Sequence, residues 1–509
     1  MWWRDGVLYQ IYPRSFADSD GDGIGDLRGI LSRLDHLEWL GVDGLWLNPT
    51  MPSPNADWGY DVADYCAVHP DLGTLADLDA LVAEAGRRGI RVLLDLVPNH
   101  TSDRHPWFQE ALSGREAPRR DFYVWTDPPP NNWLSNFGGP AWTLHEPTGQ
   151  YYLHNFLPAQ PDLNWWSEEV REAFDDVLRF WFARGIAGFR IDVCHAIVKD
   201  RELRDDPAVT QGDHPEVRKR GLRQVFSMNR PEVHDVLRRW RGVASSFVPE
   251  RILVGETYVL EIDQLIPFYG TGEDELHLAF NFLFVHSEFD AGQLRSVVEA
   301  VEAKLPAGAW PVYTGSNHDA GRLVKRWAGG DDAKVRCALL MLFGLRGTPV
   351  LYYGDEIGMA EVAIDPEGML DPAPRGRDGC RTPMQWTADG GFTSGNGTWL
   401  PMGDAAARNV ADQRSDRGSV LHLARDLIAQ RREREDLRRG DYSSLDAPEG
   451  AWAWRRGEGT VVALNLSGDP VTVDASGTIL VATDRSRDGE AVAGPLELAP
   501  WSGAIVAAR

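Results

Sequence analysis

Cysteine and long apolar segments are scarce in this chain of 509 residues. The four cysteines, Cys66, Cys194, Cys337 and Cys380, show neither the CxxC spacing of metal sites nor the density of a disulfide scaffold. We therefore expect free thiols in a reducing cytoplasm. The longest apolar run, at 337–345, is far shorter than the roughly 20 residues that span a bilayer. The chain begins with a strand pattern in place of a charged and then apolar leader, so neither secretion nor a membrane partner is expected.

Basic residues are also in the minority. Lys and Arg number 52 against 76 Asp and Glu, which gives a formal net charge of -24. This balance argues against nucleic acid and anionic membrane surfaces as partners, because both attract basic patches. The chain is rich in tryptophan, with 20 residues, and flat aromatic rings suit the apolar faces of sugars as well as protein cores. A neutral or cationic small molecule is the expected ligand.

Short apolar strands alternate with amphipathic helical segments along most of the chain. Residues 27–41 and 75–89 place apolar side chains at helical spacing and end with glycine. Eight strands are predicted, at 6–12, 42–49, 90–100, 186–193, 251–258, 276–282, 310–319 and 348–358. Eight alternating units indicate an α/β protein with a (β/α)8 TIM barrel rather than an open doubly wound sheet.

Two parts of the chain interrupt this alternation. A long segment rich in Pro, Asn, Gly and Trp follows the third strand and predicts an inserted subdomain at 101–165. Beyond about residue 435 the helical pattern stops, and short strands with turn signals predict a C-terminal β-sandwich at 435–509. The catalytic barrel is then formed by residues 1–100 and 166–434.

Polar residues follow several of the predicted strands, at the end where barrel enzymes place their catalytic groups. They are Asn99, His100, Arg190, Asp192, Glu256, His318 and Asp319. A structural salt bridge between Arg190 and Asp192 is the simplest reading of that pair alone. Buried ion pairs stabilise poorly compared with apolar packing, however, so a cluster of carboxylates and histidines at one rim indicates a site.

Five motifs at these positions carry a family resemblance. They are DLVPNH at 95–100, QPDLNW at 160–165, GFRIDV at 188–193, GET at 255–257 and NHD at 317–319. In order and spacing they resemble the signature regions of the α-amylase family of glycoside hydrolases. QPDLNW is similar to the form seen in the α-glucosidase and oligo-1,6-glucosidase branch.

The resemblance implies three catalytic carboxylates. Asp192 matches the nucleophile, Glu256 the general acid/base, and Asp319 the carboxylate that binds sugar hydroxyls and supports the transition state. Two carboxyl groups about 5 to 5.5 Å apart give retention through a covalent glycosyl-enzyme. Arg190 is expected to favour the charged form of Asp192, with Asp95 as its orienting partner or as an ordinary buried acceptor.

The resemblance also implies a pocket for the terminal sugar. His100 and His318 match hydroxyl-binding histidines, although a lone histidine is more often a satisfied core residue. Asp57 and Tyr60 in DWGYD match residues that close the nonreducing end in exo-acting relatives. Arg377 matches the arginine that pairs with the aspartate at position 57. Phe156 is expected to line the pocket, with core packing as the alternative.

The segment DSDGDGIGD at 18–26 predicts a structural cation site. It spaces oxygen ligands as in a calcium loop: Asp18, Asp20, Asp22, the Ile24 carbonyl and Asp26. The resemblance implies bound Ca²⁺, with Mg²⁺ as an alternative. The other interpretation of this segment is a solvated acidic turn that binds no metal. No organic cofactor is expected.

The predicted function is an exo-acting, retaining α-glucosidase that hydrolyses short oligosaccharides of the maltose type. Oligosaccharides with α-1,6 bonds are further candidate substrates. Val193 is similar to the valine of α-1,6-active relatives. A transglucosylase or a sucrose- or trehalose-forming isomerase on the same scaffold is the alternative. A noncatalytic binding subunit is a third hypothesis, against which the intact carboxylates argue. The sequence leaves the oligomeric state open.

Overall fold

Nineteen strands are found in the computed structural model, which describes residues 1–374 and 376–508. Before the insertion lie β1 (Leu8–Ile11), β2 (Gly44–Leu47) and β3 (Arg91–Leu96). The insertion holds β4 (Trp125–Thr126), β5 (Trp142–His145) and β6 (Gln150–Leu153). Then follow β7 (Gly188–Ile191), β8 (Ile252–Gly255), β9 (Leu278–Ala279), β10 (Val312–Tyr313) and β11 (Thr348–Tyr352). The remaining strands are β12 (Tyr442–Leu445), β13 (Ala451–Arg456), β14 (Thr460–Asn465), β15 (Val471–Val473), β16 (Gly477–Ala482), β17 (Ala491–Val492), β18 (Leu496–Leu498) and β19 (Ser502–Ala508).

Helices connect the strands. They are α1 (Trp2–Asp5), α2 (Leu27–Ser32), α3 (Leu34–Leu40), α4 (Leu75–Arg87), α5 (Pro106–Ala111), α6 (Glu168–Ala183), α7 (Pro215–Arg218), α8 (Val233–Ser245), α9 (Ile262–Leu265), α10 (Phe282–His286), α11 (Ala291–Lys304), α12 (Asp332–Gly344), α13 (Val410–Ser415), α14 (Val420–Glu433) and α15 (Glu435–Arg439). Local sequence fixes their ends: α4 begins with a capping box between Thr74 and Asp77.

The predicted barrel is confirmed. Its strands pair in parallel in the order β10-β11-β1-β2-β3-β7-β8-β9, and a parallel bridge between Phe280 and Val312 brings the two outer strands together. β1, β2, β7, β8 and β11 consist entirely of buried residues, as expected for parallel strands covered on both faces. All eight barrel strands lie inside the predicted segments, so their carboxyl ends meet at one rim.

Two further sheet regions stand apart from the barrel. β4, β6 and β5 form a three-stranded antiparallel sheet in the connection between β3 and β7. Near the C-terminus, β12-β13-β14-β19-β16-β17 form a six-stranded antiparallel sheet, and β15 pairs with β18. The domain limits predicted from the sequence remain our proposal for where these units begin and end.

All four cysteines are free thiols. Within residues 1–374 and 376–508, no helix combines the length and the apolar character that crossing a bilayer requires.

Candidate active site

One arginine holds three carboxylates together at the rim. Arg190, at the end of β7, donates from Nη1 to Asp95 at 2.7 Å and to Asp192 at 2.8 Å, and from Nη2 to Glu256 at 2.7 Å. The three carboxylates come from β3, the end of β7 and the end of β8, which are neighbours in the barrel. Parallel pairing therefore explains why residues far apart in sequence share one guanidinium.

A tight turn after β7 positions Glu256. Val193 has φ 34° and ψ 45°, in the left-handed region, and its N–H donates to Glu256 Oε2 at 2.8 Å. Oε2 thus accepts from Val193 and from Arg190. Oε1 accepts no hydrogen bond from the described residues, so it is the oxygen free to carry a proton. Asp192 is similar: Oδ1 accepts from Arg190, and Oδ2 accepts no hydrogen bond within the described part of the chain.

Burial and the shared arginine act in opposite directions on these groups. Burial raises the pKa of Asp192 well above its ordinary value and the charge of Glu256 adds to this, while Arg190 lowers it. Burial likewise raises the pKa of Asp95 to about 6 against the effect of Arg190. Closely spaced carboxylates titrate as a unit. Arg190 therefore offsets part of the effect of burial on Asp192 and Asp95.

Asp319 is held in its charged form. Its Oδ1 accepts from Arg377 Nη1 at 2.7 Å and from Arg381 Nη2 at 3.0 Å, and its Oδ2 lies 3.0 Å from His318 Nε2. Burial acts to raise the pKa of Asp319, but His318 and the two guanidinium groups outweigh it and hold the pKa below its ordinary value. Asp319 therefore presents a negative charge to the pocket.

Asp57 and Arg377 form the pair that the sequence predicted. Arg377 Nη2 donates to Asp57 Oδ1 at 2.8 Å, and Gln160 donates to Asp57 Oδ2 at 3.1 Å. Arg377 is itself anchored by Asp371, which accepts from its Nε at 2.8 Å. Burial raises the pKa of Asp57 to about 6, although Arg377 lowers it. Arg377 thus opposes the effect of burial and favours the charged form of Asp57.

The two predicted histidines occupy different places. His100 lines the pocket, with its Nε2 2.9 Å from the Tyr60 carbonyl oxygen and its ring 5.1 Å from that of Phe156. Burial lowers the pKa of His100 to about 4, so it is neutral.

His318 lies beneath the pocket. Its ring stacks on Tyr60 at 5.3 Å, and Gln10 donates to its Nδ1 at 2.8 Å. Nε2 is then the donor nitrogen, and it faces Asp319 and the Tyr60 hydroxyl. Tyr60 in turn donates to Asp95 at 3.0 Å. His318 therefore orients Asp319 and Tyr60 in this structure.

These side chains surround a pocket of about 260 Å³, near the lower limit of the usual 300 to 1,000 Å³ for small-molecule sites. The predicted residues that line it are Asp57, Tyr60, His100, Phe156, Asp192, Glu256, Asp319 and Arg377. Arg190 and His318 support the pocket without lining it. Residues that line it and that the motifs did not identify are Asn136, Phe137, His195, Arg220, Met228, Tyr258, Phe282, His286 and Ala320.

Some of these additional residues could have been found from the sequence. His195, Tyr258 and Ala320 stand within three positions of Asp192, Glu256 and Asp319, so extending the motifs would include them. The others come from loops and from α10, and only the folded chain brings them to the rim.

The acidic loop before α2 brings three of its carboxylates together. Oxygen atoms of Asp18, Asp20 and Asp22 lie within 4.8 Å of one another, and this all-oxygen set suits a hard cation. Asp26 instead caps α2 by accepting from Gly29 N at 2.7 Å, and Ser19 occupies its other oxygen. The Ile24 N–H donates to Asp22 at 2.7 Å.

Known proteins resemble the chain over nearly its whole length. The model of the α-amylase catalytic domain matches residues 10–440. A probable α-glucosidase of Rhizobium meliloti (strain 1021) is 43% identical, over 87% of this chain and 85% of the relative. An oligo-1,6-glucosidase of Heyndrickxia coagulans is 36% identical, over 93% of each. The crystal structure of an α-glucosyl transfer enzyme superimposes with a TM-score of 0.92 at 40% identity, covering 100% of this chain and 99% of that one. The motifs, the barrel and these relatives together establish that the chain belongs to the α-amylase family and is a glycoside hydrolase.

Proposed function

We propose that the protein is an exo-acting α-glucosidase that removes terminal glucose from short α-glucosides with retention of configuration. The observation that carries this proposal is the placement of Asp192 and Glu256 on neighbouring strand ends, bridged by Arg190, at the wall of one small pocket. Retaining glycosidases need two carboxyl groups at short range with different protonation states.

The chemistry follows from the hydrogen bonds. Asp192 Oδ2 attacks the anomeric carbon while Glu256 gives its proton to the leaving oxygen, which forms a glycosyl ester and frees the leaving unit. Glu256, now ionised and bound to Arg190, accepts a proton from a water molecule. That water attacks the anomeric carbon and releases Asp192. Arg190 contacts both carboxylates, so it stabilises the ionised partner in each step.

The walls of the pocket support the proposed exo action. Asp57 and Arg377 form one part of its wall with Tyr60, and each is fixed by further protein contacts. A sugar between them and Asp192 would offer its nonreducing hydroxyls to fixed charged groups. A longer chain on that side would have to displace the ion pair, so cleavage of the terminal unit is favoured.

We propose a range of glycosidic linkages and of glucosyl acceptors rather than a single one of each. Maltose-type bonds are the proposed main substrates, with α-1,6 bonds as further substrates because an oligo-1,6-glucosidase is among the relatives. Glucosyl transfer to a sugar or alcohol acceptor is a second candidate function, favoured by the full-length likeness to an α-glucosyl transfer enzyme. Both functions share the glycosyl-enzyme and differ in whether water or another hydroxyl attacks it.

Product analysis on maltose, isomaltose, trehalose, sucrose and kojibiose tests this proposal. We expect glucose release from maltose, with the α anomer as first product by NMR, and transfer products at high substrate concentration. A β anomer would contradict double displacement. The absence of products from every sugar in the panel would contradict the α-glucosidase proposal.

We also propose that Asp18, Asp20 and Asp22 hold a structural Ca²⁺, with Mg²⁺ as the alternative. The cation would neutralise three carboxylates that otherwise repel one another. It takes no part in the chemistry described above.

A further inference from the structure

Arg220 lines the same pocket as Asp57 and Arg377. It follows α7 in the long connection between β7 and β8, and it also lines two smaller cavities next to the reaction pocket, of about 80 and 240 Å³. Arg220 is therefore the one described residue that lines all three of these cavities.

Arg220 lies on the side of the leaving unit. Glu256, as acid, must face the leaving oxygen, and Tyr258 follows it by two residues. The Arg220 guanidinium stands 5.0 Å from the centre of the Tyr258 ring, whose hydroxyl shares a 2.8 Å hydrogen bond with His286 Nε2. Phe282 packs on the same ring at 4.5 Å. The aromatic pair and Arg220 thus form the wall that the departing unit would contact.

Arg220 differs from the other arginine of the pocket in its hydrogen-bond partners. Its Nη1 donates to the amide oxygen of Gln224, and among residues 1–374 and 376–508 no carboxylate forms an ion pair with it. Arg377, the other arginine of the pocket, is paired with Asp57, Asp319 and Asp371. A guanidinium offers five N–H donors in a planar fork, so most donors of Arg220 remain available to a ligand.

The adjoining cavity of about 240 Å³ is electropositive. Arg220 and Lys219 line it, and its one lining carboxylate among the described residues is Asp206. Asp206 is turned inward: its Oδ1 accepts backbone N–H groups from Val225 and Phe226, at 3.0 and 2.7 Å. Its Oδ2 accepts the Ser227 hydroxyl, and only 3% of the residue is exposed. Lys219 pairs with Glu216 on the surface, an interaction that is weak enough to rearrange.

We propose that Arg220, assisted by Lys219, binds an anionic group, a phosphate or a carboxylate, carried by the leaving or acceptor unit. This inference rests on the proposed α-glucosidase function and specifies its substrates. The chain has a net charge of -24. A half-buried guanidinium beside a cavity whose one carboxylate among the described residues already accepts protein hydrogen bonds is therefore a selective feature. Arginine binds phosphate and carboxylate through paired, charge-assisted hydrogen bonds.

The test compares neutral and anionic partners of two substrate pairs. One pair is maltose and maltose phosphorylated at O6 of its reducing unit. The other is 4-carbamoylphenyl and 4-carboxyphenyl α-glucoside, which have nearly the same shape. The variants are Arg220→Gln, Arg220→Lys, which keeps the charge, and the control Arg218→Gln, which removes an exposed arginine two residues away that does not line the cavities described above.

We expect the unmodified enzyme to prefer the anionic partner of at least one pair. Arg220→Gln should lower kcat/KM for that partner about 10 to 100 times more than for its neutral counterpart, mainly through KM, as expected for a lost charged hydrogen bond. Arg220→Lys should retain part of the preference, and Arg218→Gln all of it. A preference in only one pair would assign the anion as phosphate or as carboxylate.

Equal losses on neutral and anionic partners would overturn the proposal and make Arg220 a support for Tyr258. So would a preference of the unmodified enzyme for both neutral partners. Failure to cleave any of the four substrates is a different result, because it would contradict the α-glucosidase function itself.

Discussion

Val193 shows how a single residue couples backbone strain to the site. It is β-branched, yet it adopts a left-handed backbone conformation that such residues rarely occupy. The same turn directs the Val193 N–H to Glu256. Just before the turn, the Asp192 N–H donates to the carbonyl oxygen of Leu96 on β3 at 2.8 Å. The strain is therefore located where the proposed nucleophile and acid are positioned.

A comparison of Val193→Gly with Val193→Ala tests this strain. Both variants remove the same apolar branches and keep the N–H that Glu256 accepts. Because glycine adopts positive φ without steric cost, Val193→Gly should be about 1 kcal/mol more stable than Val193→Ala, the reverse of the usual order. Denaturant midpoints of the two variants measure the difference. An alanine variant as stable as the glycine variant would show that the turn is not strained.

At the scale of elements, the acidic loop at 18–26 ties the start of the barrel to a distant segment. The Asp18 N–H donates to Phe392 at 2.9 Å, and Trp399 N donates to Gly23 at 3.0 Å. The Trp399 ring stacks on Tyr12, which lies near His318 at 6.2 Å. A cation in this loop would therefore stabilise the packing of residues 392–399 beside the pocket.

Calcium should raise the unfolding temperature and chelation should lower it, because an ion that binds only the native state stabilises it by mass action. We expect a shift of about 2 to 5 °C, measured by calorimetry, with turnover in the cold retained after chelation. Asp20→Asn should abolish the response to calcium. Asp64→Asn is the control, since Asp64 is also exposed and accepts an N–H two residues ahead, as Asp20 does. An unchanged unfolding temperature on chelation, or loss of turnover alone, would contradict a structural ion.

At the scale of the whole molecule, the sequence predicts the barrel well and one side of the pocket poorly. Most residues of the barrel strands are apolar and buried, so their pattern identifies the strands directly. The residues around Asp192 and Glu256 stand in recognisable motifs. Arg220 and His286 do not: tertiary folding brings them to the rim from a long connection and from α10. The sequence pattern also extended the fourth strand to Val193, whereas β7 ends at Ile191.

The central claim is that Asp192 attacks and Glu256 protonates, and one set of rate measurements tests it most directly. Glu256→Gln and Asp192→Asn are compared on maltose and on α-glucosyl fluoride, whose leaving group needs no proton. We expect Glu256→Gln to lose about 10² to 10⁴-fold in glycosylation rate on maltose and to recover most of it on the fluoride. Asp192→Asn should remain inactive on both, because a better leaving group does not replace a nucleophile. Equal losses on both substrates for Glu256→Gln, or recovery of Asp192→Asn on the fluoride, would contradict these roles.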